Sequence, residues 1–302
     1  FPTFVPSEYQ NYPEDLYKNP FVSSIYEPGS TIKPIVMAGA LDAHIIKPET
    51  KCPICSGPVV IGDYELHTWN DKYYKDINMI DVIIHSDNTG MVYVAQKLGV
   101  DKMISYLNKF GIGSLTYIDS QGEIPASLKP KNAWYPVDLA TTGFGQGISV
   151  TPIQLLTAFS AIANNGKVMQ PHFVSQVESL DGEVAKIPPK VLGTPISEQT
   201  AKVMTEILVS AVNKGEAQWV RLKGYRIAGK TGTASIPVKG HYDPSKTITS
   251  FIGFAPAENP KFVMLVILDK PTVAIYGAET AAPIFFDIAR DILSYYGIPP
   301  SE

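Results

Sequence analysis

The sequence predicts an α/β fold in which an antiparallel sheet is flanked by helices and carries an inserted helical lobe. Helical periodicity dominates the first two thirds of the chain, whereas strand-like alternation is concentrated in the last third. The three strand-like segments are residues 224–235, 247–255 and 261–268, and an amphipathic helix is predicted after them at 282–296. This order of elements favours a sheet lobe with a helical lobe inserted into it.

The composition is that of a single large globular unit. The chain has 302 residues, 45% hydrophobic and 18% charged, so it can bury a sizeable core. We therefore expect one domain over residues 1–302, with a helical lobe at about 40–150 inserted in an α/β lobe formed by 1–39 and 151–302. The net charge of −4 argues against a nucleic-acid-binding surface. The longest apolar run, Phe262 to Leu268, is too short to span a membrane.

The N-terminal half is predicted as helices separated by irregular segments. Residues 1–29 have no clear periodicity, and a helical pattern begins at Ser30 after a Pro-Gly turn. Residues 47–76 are polar and loop-like. A second helical pattern runs over 77–110 with a break at 86–90, and 111–149 is glycine-rich and mostly irregular.

Clearer local signals follow in the second half. Thr151-Pro152-Ile153-Gln154 has the residues of a capping box, so it predicts a helix that ends near Gly166. Residues 172–186 resemble a hairpin that turns at Asp181-Gly182. A further helix is predicted over 197–214.

The first of three short motifs with chemical potential is Ser30-Thr31-Ile32-Lys33. Residues three apart share a helix face, so the Ser30 hydroxyl and the Lys33 amine can meet. An amine can act as a general base when it is neutral, and burial near a second cation lowers its pKa towards that state. Backbone N–H groups at the helix N-terminus suit a developing negative charge. The alternative is an ordinary helix start with a solvated lysine.

The second motif, Ser86-Asp87-Asn88, places a hydroxyl and a carboxamide two residues apart. In an extended turn, Ser86 and Asn88 point towards one cavity. The alternative is a helix cap or an Asx turn.

The third motif, Lys230-Thr231-Gly232-Thr233, lies in a predicted strand. Alternation places the two threonines on one face and Lys230 on the other, so an edge position or a twist is needed to bring all three to one ligand. Gly232 is expected to let a ligand lie along the strand, and the lysine and hydroxyls suit a carboxylate. The alternative is a solvated edge strand.

A P-loop is a competing interpretation of residues 224–231, which match G-x-x-x-x-G-K-[ST]. A P-loop requires a helix immediately after the Lys-Thr pair. Gly232, Pro237 and Gly240 follow here instead, so nucleotide hydrolysis is only a remote alternative.

Together, the three motifs resemble those of the penicillin-binding protein and serine β-lactamase superfamily. Further stretches are similar to class B penicillin-binding proteins: Tyr26 to Thr31, Phe144 to Pro152, Gly229 to Thr233, Phe251 to Pro256, Tyr276-Gly277, and Ala281 to Pro283. The resemblance covers about residues 15–298 and implies the penicillin-binding protein transpeptidase/β-lactamase-like fold.

The resemblance also implies roles for the first two motifs. Ser30 is the implied acylated nucleophile, and Lys33 takes its proton. Ser86 relays a proton to the leaving amine, and Asn88 holds Lys33 and the substrate amide. The implied reaction is attack on a D-Ala-D-Ala bond, loss of D-Ala, and aminolysis by a neighbouring stem peptide, with β-lactams as acylating inhibitors.

The third motif is implied to bind the donor peptide. Lys230, Thr231, Gly232 and Thr233 form the implied site for its terminal carboxylate. The backbone N–H groups of Ser30 and Thr233 form the implied oxyanion hole. The resemblance gives no cofactor and no metal.

Two other members of the superfamily remain alternatives. Asp87 stands where class B members more often have Ser, and many β-lactamases have Asp there. However, the deacylating Glu-x-x-Leu-Asn element of class A enzymes is not found between Asn88 and Lys230, and Glu123 lies in a transpeptidase-like context. A class D enzyme has an apolar residue in place of Asn88. A β-lactam sensor domain would acylate only once, but residues 146–152 favour the transpeptidase.

The two cysteines allow three interpretations. Cys52 and Cys55 can form a disulfide, remain free thiols, or contribute to a metal site, although a structural zinc site normally takes four ligands. The family acts outside the cytoplasm, and this location favours oxidation.

The resemblance implies a location at the extracytoplasmic face of the bacterial cell membrane. Full family members carry an N-terminal anchor and a pedestal region, and neither is recognisable here, so we expect an excised catalytic domain. The implied partners are peptidoglycan stem peptides, β-lactam antibiotics and, through the missing N-terminal region, a membrane glycosyltransferase.

Overall fold

The fold is described from a computed structural model, which covers residues 4–238 and 241–301. The α-helices of this part of the chain are α1 (Pro20–Ser23), α2 (Lys33–Asp42), α3 (Met79–Ile84), α4 (Asn88–Lys109), α5 (Pro136–Thr142), α6 (Pro152–Ala163), α7 (Glu198–Lys214) and α8 (Ala281–Tyr295). The strands are β1 (Val59–Ile61), β2 (Tyr64–Leu66), β3 (Val168–Met169), β4 (Gln176–Glu178), β5 (Val184–Lys186), β6 (Val191–Gly193), β7 (Ala228–Val238), β8 (His241–Ala255) and β9 (Phe262–Asp269).

The main sheet is antiparallel and has the strand order β7–β8–β9, which places β7 at one edge. Alternation along β8 separates two apolar clusters. Phe251 packs against Phe285 and Phe286 of α8, whereas Ile252 and Phe254 belong to the larger core with α6 and α7. The sheet is therefore covered by helices on both faces, which confirms the predicted α/β class.

The strongest sequence signals are confirmed. Thr151 caps α6 and completes a capping box, since its hydroxyl accepts the Gln154 N–H at 3.3 Å while Gln154 Oε1 accepts the Thr151 N–H at 3.0 Å. The predicted hairpin is the β4–β5 pair, with Gly182 at φ +83° between its strands. The strand bounds differ: β7 begins at 228 rather than 224, and β8 begins at 241 rather than 247.

Weaker signals were missed. Helix α5 lies in the segment predicted to be mostly irregular, because it spans only seven residues and shows little periodicity. It is stabilised at its start by Pro136 and by Asp138 Oδ2, which accepts the Tyr135 N–H at 2.9 Å. The short β1–β2 pair lies in the segment predicted to be a loop.

Helices of the predicted inserted lobe share one core with the rest of the molecule. α4 packs against α2, most of which lies in the predicted α/β lobe, and α3 packs against α7. Cys52 and Cys55 are buried in this core and are joined by a disulfide, so the free-thiol and metal alternatives are wrong. Within the described ranges, no helix is both long and apolar enough for a transmembrane span.

Candidate active site

A cleft of about 850 Å³ brings residues of all three motifs together. It opens between the 3₁₀ turn that precedes α2, the start of α4, and β7. Ser30, Ser86, Asn88, Thr231 and Thr233 line it. Both motif lysines are buried beside these residues, with 0% of Lys33 and 3% of Lys230 exposed.

The turn that carries Ser30 is held against β7 by close backbone packing. Gly29 has φ +54°, and its N–H donates to the Gly145 carbonyl at 3.0 Å. A Cβ at Gly29 would lie 2.8 Å from the Thr233 carbonyl oxygen, so only glycine allows this approach. Ser30 lies in a 3₁₀ turn over Gly29–Ile32, where residues three apart eclipse each other, and this arrangement orients Ser30 and Lys33 to the same side.

Lys33 is fully enclosed beside the cleft. Its Nζ donates to the Ser86 carbonyl at 2.7 Å and to Asn88 Oδ1 at 2.7 Å, and lies 3.3 Å from Ser86 Oγ. Burial, assisted by the nearby charge of Lys230, lowers the pKa of Lys33 to about 7, while Asp87 and Glu216 oppose this shift. Lys33 therefore meets both conditions, burial and a second cation, under which an amine at this position can be neutral.

These contacts leave the Lys33 amine ready to accept a proton. A carbonyl and a carboxamide oxygen only accept hydrogen bonds, so they use two N–H groups of the amine. A neutral amine has only these two N–H groups, so its lone pair remains free to take a proton. Within the described part of the chain, the Ser30 hydroxyl has no hydrogen-bond partner and is open to the cleft.

The second motif combines a strained residue with a helix cap. Ser86 has φ +54°, a left-handed conformation that is costly for a residue with a Cβ. It is held there by its N–H bond to the Ile83 carbonyl at 3.2 Å and by Lys33. Asp87 caps α4, because its Oδ1 accepts the Gly90 N–H at 2.8 Å. The helix-cap interpretation is therefore right for Asp87, while Ser86 and Asn88 contact Lys33.

Asp87 also places a charge near Lys33. Its second oxygen, Oδ2, is buried and has no hydrogen-bond partner among the described residues. A carboxylate in this setting is poorly screened, which explains why its charge raises the pKa of Lys33.

The third motif follows the predicted alternation. Thr231, Thr233 and Ser235 line the cleft, whereas Lys230 lies on the inner side. The Lys230 amine bends around the edge strand and donates to Thr231 Oγ1 at 3.0 Å and to the Thr231 carbonyl at 3.2 Å. Burial lowers the pKa of Lys230, and Glu216 opposes the shift. Ser235 lies outside the motif, and nothing in the sequence indicates that it lines the cleft.

The hydroxyls of Thr231 and Thr233 have different partners. Thr233 Oγ1 accepts the Gly277 N–H at 3.0 Å, so its own proton stays available to a ligand. Thr231 Oγ1 instead donates to Glu216 Oε2 at 2.7 Å. Sequence analysis missed Glu216, since a single glutamate between a helix and a strand matches no motif.

Gly232 has a packing role that the sequence did not suggest. A Cβ here would overlap Ser250 Oγ and lie 2.8 Å from Thr31 Cγ2, so the glycine lets the nucleophile turn approach the sheet. The expectation that Gly232 also lets a ligand lie along the strand stays a prediction. The P-loop alternative is wrong, because Lys230 and Thr231 lie inside β7, which continues to Val238 where a P-loop would begin a helix.

The opposite wall of the cleft comes from the segment predicted to be a loop. Asn88 Nδ2 donates to the His67 carbonyl at 2.9 Å, and Trp69 Nε1 donates to the His85 carbonyl at 3.2 Å. The Trp69 ring meets Tyr276 edge-on, with 5.3 Å between ring centroids. Asn88 therefore connects Lys33 to this wall.

Comparison with known proteins agrees with this geometry. Residues 1–290 match the family model of the penicillin-binding protein transpeptidase domain. Stage V sporulation protein D of Bacillus subtilis is 37% identical over all of this chain and 47% of its own length. The peptidoglycan D,D-transpeptidase FtsI homolog of Mesostigma viride is 30% identical, over 99% of this chain and 54% of its length. The chain thus spans about half of these two relatives.

Solved structures give the same result. Penicillin-binding protein 3 of Mycobacterium tuberculosis, complexed with aztreonam, superposes with a TM-score of 0.91 at 29% identity, over 99% of this chain and 69% of that one. The transpeptidase domain of Burkholderia pseudomallei penicillin-binding protein 3 gives a TM-score of 0.85 at 29% identity, over 95% and 84%. From the motifs, the cleft and these matches, the chain belongs to the penicillin-binding protein transpeptidase family.

Proposed function

We propose that this chain is the catalytic domain of a peptidoglycan D,D-transpeptidase that works through an acyl-enzyme on Ser30. The observation that carries the proposal is a fully buried lysine, with a pKa of about 7, one turn after a serine that opens to the cleft. An unshifted lysine would be protonated at neutral pH and could not take a proton from a hydroxyl.

In the acylation step, Ser30 Oγ attacks the carbonyl carbon between the two terminal D-Ala residues. Lys33 accepts the hydroxyl proton as the new C–O bond forms. The backbone N–H groups of Ser30 and Thr233 are the proposed donors to the oxyanion, an assignment supported by the close packing of Gly29 on Thr233. When the C–N bond breaks, the proton passes from Lys33 through Ser86 to the leaving amine.

The substrate is held on both walls of the cleft. We assign its terminal carboxylate to Lys230 and to the Thr233 hydroxyl, because a cation and a hydroxyl donor match that group. Thr231 is proposed to line the same subsite, where its hydroxyl connects Lys230 to Glu216. Asn88 is the proposed partner of the substrate amide as well as of Lys33. In the second step, the amine of a neighbouring stem peptide attacks the ester carbonyl and forms the cross-link as the C–O bond to Ser30 breaks. The proton that the amine loses returns to Ser30 Oγ.

Hydrolysis by a β-lactamase mechanism has less support. Glu123 is committed to its own loop, because Oε1 accepts the Thr116 N–H at 2.6 Å and Oε2 accepts the Tyr117 N–H at 3.0 Å. It is not among the residues that line the cleft, so it cannot activate a water there.

The test is intact-mass analysis after incubation with a penicillin, followed by peptide mapping. We expect one adduct with the whole mass of the drug, located on Ser30, and none in Ser30→Ala. An adduct that persists in Ser30→Ala would overturn the assignment. The control is Ser24→Ala, a nearby exposed serine that should not affect labelling.

Turnover distinguishes the three members of the superfamily. With a chromogenic cephalosporin, a transpeptidase or a sensor gives one burst and almost no steady state, whereas a β-lactamase continues to turn over. A thioester mimic of D-Ala-D-Ala then separates the first two. A transpeptidase releases thiol repeatedly and faster with D-amino acids as acceptors, whereas a sensor does not.

We further infer an extracytoplasmic location and a membrane glycosyltransferase as partner of the longer protein. The buried disulfide between Cys52 and Cys55 supports an oxidising compartment. The partner rests on family resemblance alone, and co-purification with the full-length protein from membranes would test it.

A further inference from the structure

Glu216 belongs to no motif, yet its carboxylate is bonded to one. Oε2 accepts the Thr231 hydroxyl proton at 2.7 Å, and Thr231 Oγ1 in turn accepts from the Lys230 ammonium at 3.0 Å. The hydroxyl therefore bridges an acid and a cation. Such a chain is polarised in one direction, because each hydrogen bond strengthens the other.

The backbone around Glu216 fixes the position of this carboxylate. The chain leaves α7 at Gly215, where a Cβ would overlap the Ala211 carbonyl oxygen and lie 2.8 Å from the Ile84 carbonyl oxygen. On its other side, Ala217 is 2% exposed and packs in the apolar cluster of α8. Glu216 is thus clamped between two tightly packed neighbours and lines the cleft.

We propose that Glu216 is a positioning residue of the acylation reaction: its carboxylate fixes the Thr231 hydroxyl and balances the charges of the two buried lysines, and so sets the pH range in which the site works. The proposal rests on the proposed function of Ser30. It adds a residue to the three motifs, which supply cations and hydroxyls to the cleft but no carboxylate that faces Lys230.

The effect of Glu216 on the pKa values of both buried lysines supports this role. The negative charge of Glu216 raises the pKa values of Lys33 and Lys230, against the lowering caused by burial. Asp87 acts in the same sense on Lys33. The other titratable groups that line the cleft are Lys72, Tyr74, His85, Lys214, Tyr276 and Glu279.

Removing the charge of Glu216 is predicted to lower the pKa of both lysines. Without the carboxylate, each ammonium is less stable, so each lysine loses its proton at lower pH. Neutral Lys33 is the base, so the acidic limb of acylation moves to lower pH. Charged Lys230 recognises the carboxylate, so the alkaline limb moves to lower pH as well.

The experiment measures the acylation rate with a penicillin over the pH range for wild type, Glu216→Gln and Glu216→Asp. We expect both limbs of the Glu216→Gln profile to shift to lower pH, and Glu216→Asp to stay near wild type. Glu198→Gln is the matched control, since it makes the same charge change at the opposite, exposed end of α7 and should leave the profile unchanged. Glu216→Thr serves as a second neutral variant if Glu216→Gln folds poorly.

A purely structural role would lower the rate equally at every pH, and that result would overturn the proposal, as would an unchanged profile in both neutral variants. A second readout does not depend on catalysis: NMR titration of protein labelled with 13C at lysine Cε. We expect the Lys33 and Lys230 signals to titrate at lower pH in Glu216→Gln. If wild type forms no adduct, the proposed function fails, while this titration still decides the electrostatic role of Glu216.

Discussion

Lys33 and Lys230 are two buried amines beside one cleft, and their surroundings prepare them for different charges. Lys33 donates to a carbonyl and a carboxamide, which are neutral, and no acid among the described residues bonds it directly. Lys230 bonds a hydroxyl that is itself bonded to the Glu216 carboxylate. Burial lowers both pKa values, but Lys33 also carries the repulsion of Lys230.

Because their surroundings differ, two residues of the same type can serve one as a base and the other as a binding cation. A base must be neutral for part of the time at working pH, and neutral partners allow it to be so. A cation that recognises a carboxylate acts in its charged form, and the nearby acid favours that form against the effect of burial. Both lysines are buried, so burial does not distinguish the base from the binding cation. What distinguishes them is the next group along each hydrogen-bond chain, which is an acid only for the binding cation.

The largest expected effect tests the base. Lys33→Arg keeps a charge but does not deprotonate at working pH, so acylation by a penicillin should fall by about 10²-fold or more. Lys230→Arg is the comparison variant, because it keeps the cation that its role requires and should lose much less. The rate of adduct formation by mass spectrometry measures both. Equal losses in the two variants would remove the distinction between the lysines.

The next effect tests the binding cation. Lys230→Met removes one charge-assisted hydrogen bond, worth about 1.5–3 kcal/mol, so acylation by a carboxylate-bearing β-lactam should slow by roughly 10- to 100-fold. Well above the pKa of Lys33, where the base is neutral with or without the repulsion of Lys230, the same drug with its carboxylate esterified should react at nearly the same rate with Lys230→Met and wild type. A parallel loss for acid and ester would show that Lys230 acts on catalysis rather than on recognition.

A smaller effect comes from pH in the wild-type protein. Because the pKa of Lys33 is about 7, its neutral fraction falls as pH decreases through that value. Acylation should therefore drop about tenfold between about pH 8 and pH 6 if the neutral amine is required. Stopped-flow rates with a chromogenic cephalosporin measure this. A flat profile across neutral pH would mean that Lys33 is not the titrating base.

The smallest effect separates the two acids of the site. Asp87 raises the pKa of Lys33 and is not among the causes that act on Lys230, in contrast to Glu216. Asp87→Ser keeps a capping side chain for α4 but removes the charge, so only the acidic limb should move to lower pH. If the alkaline limb moved too, the charges of the site would be shared more widely than this structure indicates.

Much of the site could be predicted because its parts are local in sequence. Ser30 and Lys33 share one turn, and alternation in a strand places Thr231 and Thr233 on one face, so spacing alone gives their relation. The capping box at Thr151 is equally local. The approach of the three motifs to one cleft came from family resemblance, because no spacing rule brings residues 30, 86 and 230 together.

What the sequence could not give depends on contacts between distant segments. Glu216 meets Thr231 only because α7 ends against β7, and Asn88 meets the His67 carbonyl only through an irregular segment that has no periodic signal. Gly232 packs against Thr31, two hundred residues away in sequence, and no local pattern indicates that contact. Local patterns carry no information on these partners.

The burial of the two lysines also has a thermodynamic consequence for the folded domain. Between about pH 7 and pH 10.5, the unfolded chain keeps a proton on Lys33 that the folded chain has released, so the free energy of unfolding rises with pH over this range. Below that range both the folded and the unfolded chain hold the proton, and the lowered pKa of Lys33 then reduces the free energy of unfolding by its full amount. Lys230 adds a contribution of the same sign. The domain is therefore less stable at neutral pH than its apolar core allows, and the groups that destabilise it are those proposed to make it an enzyme.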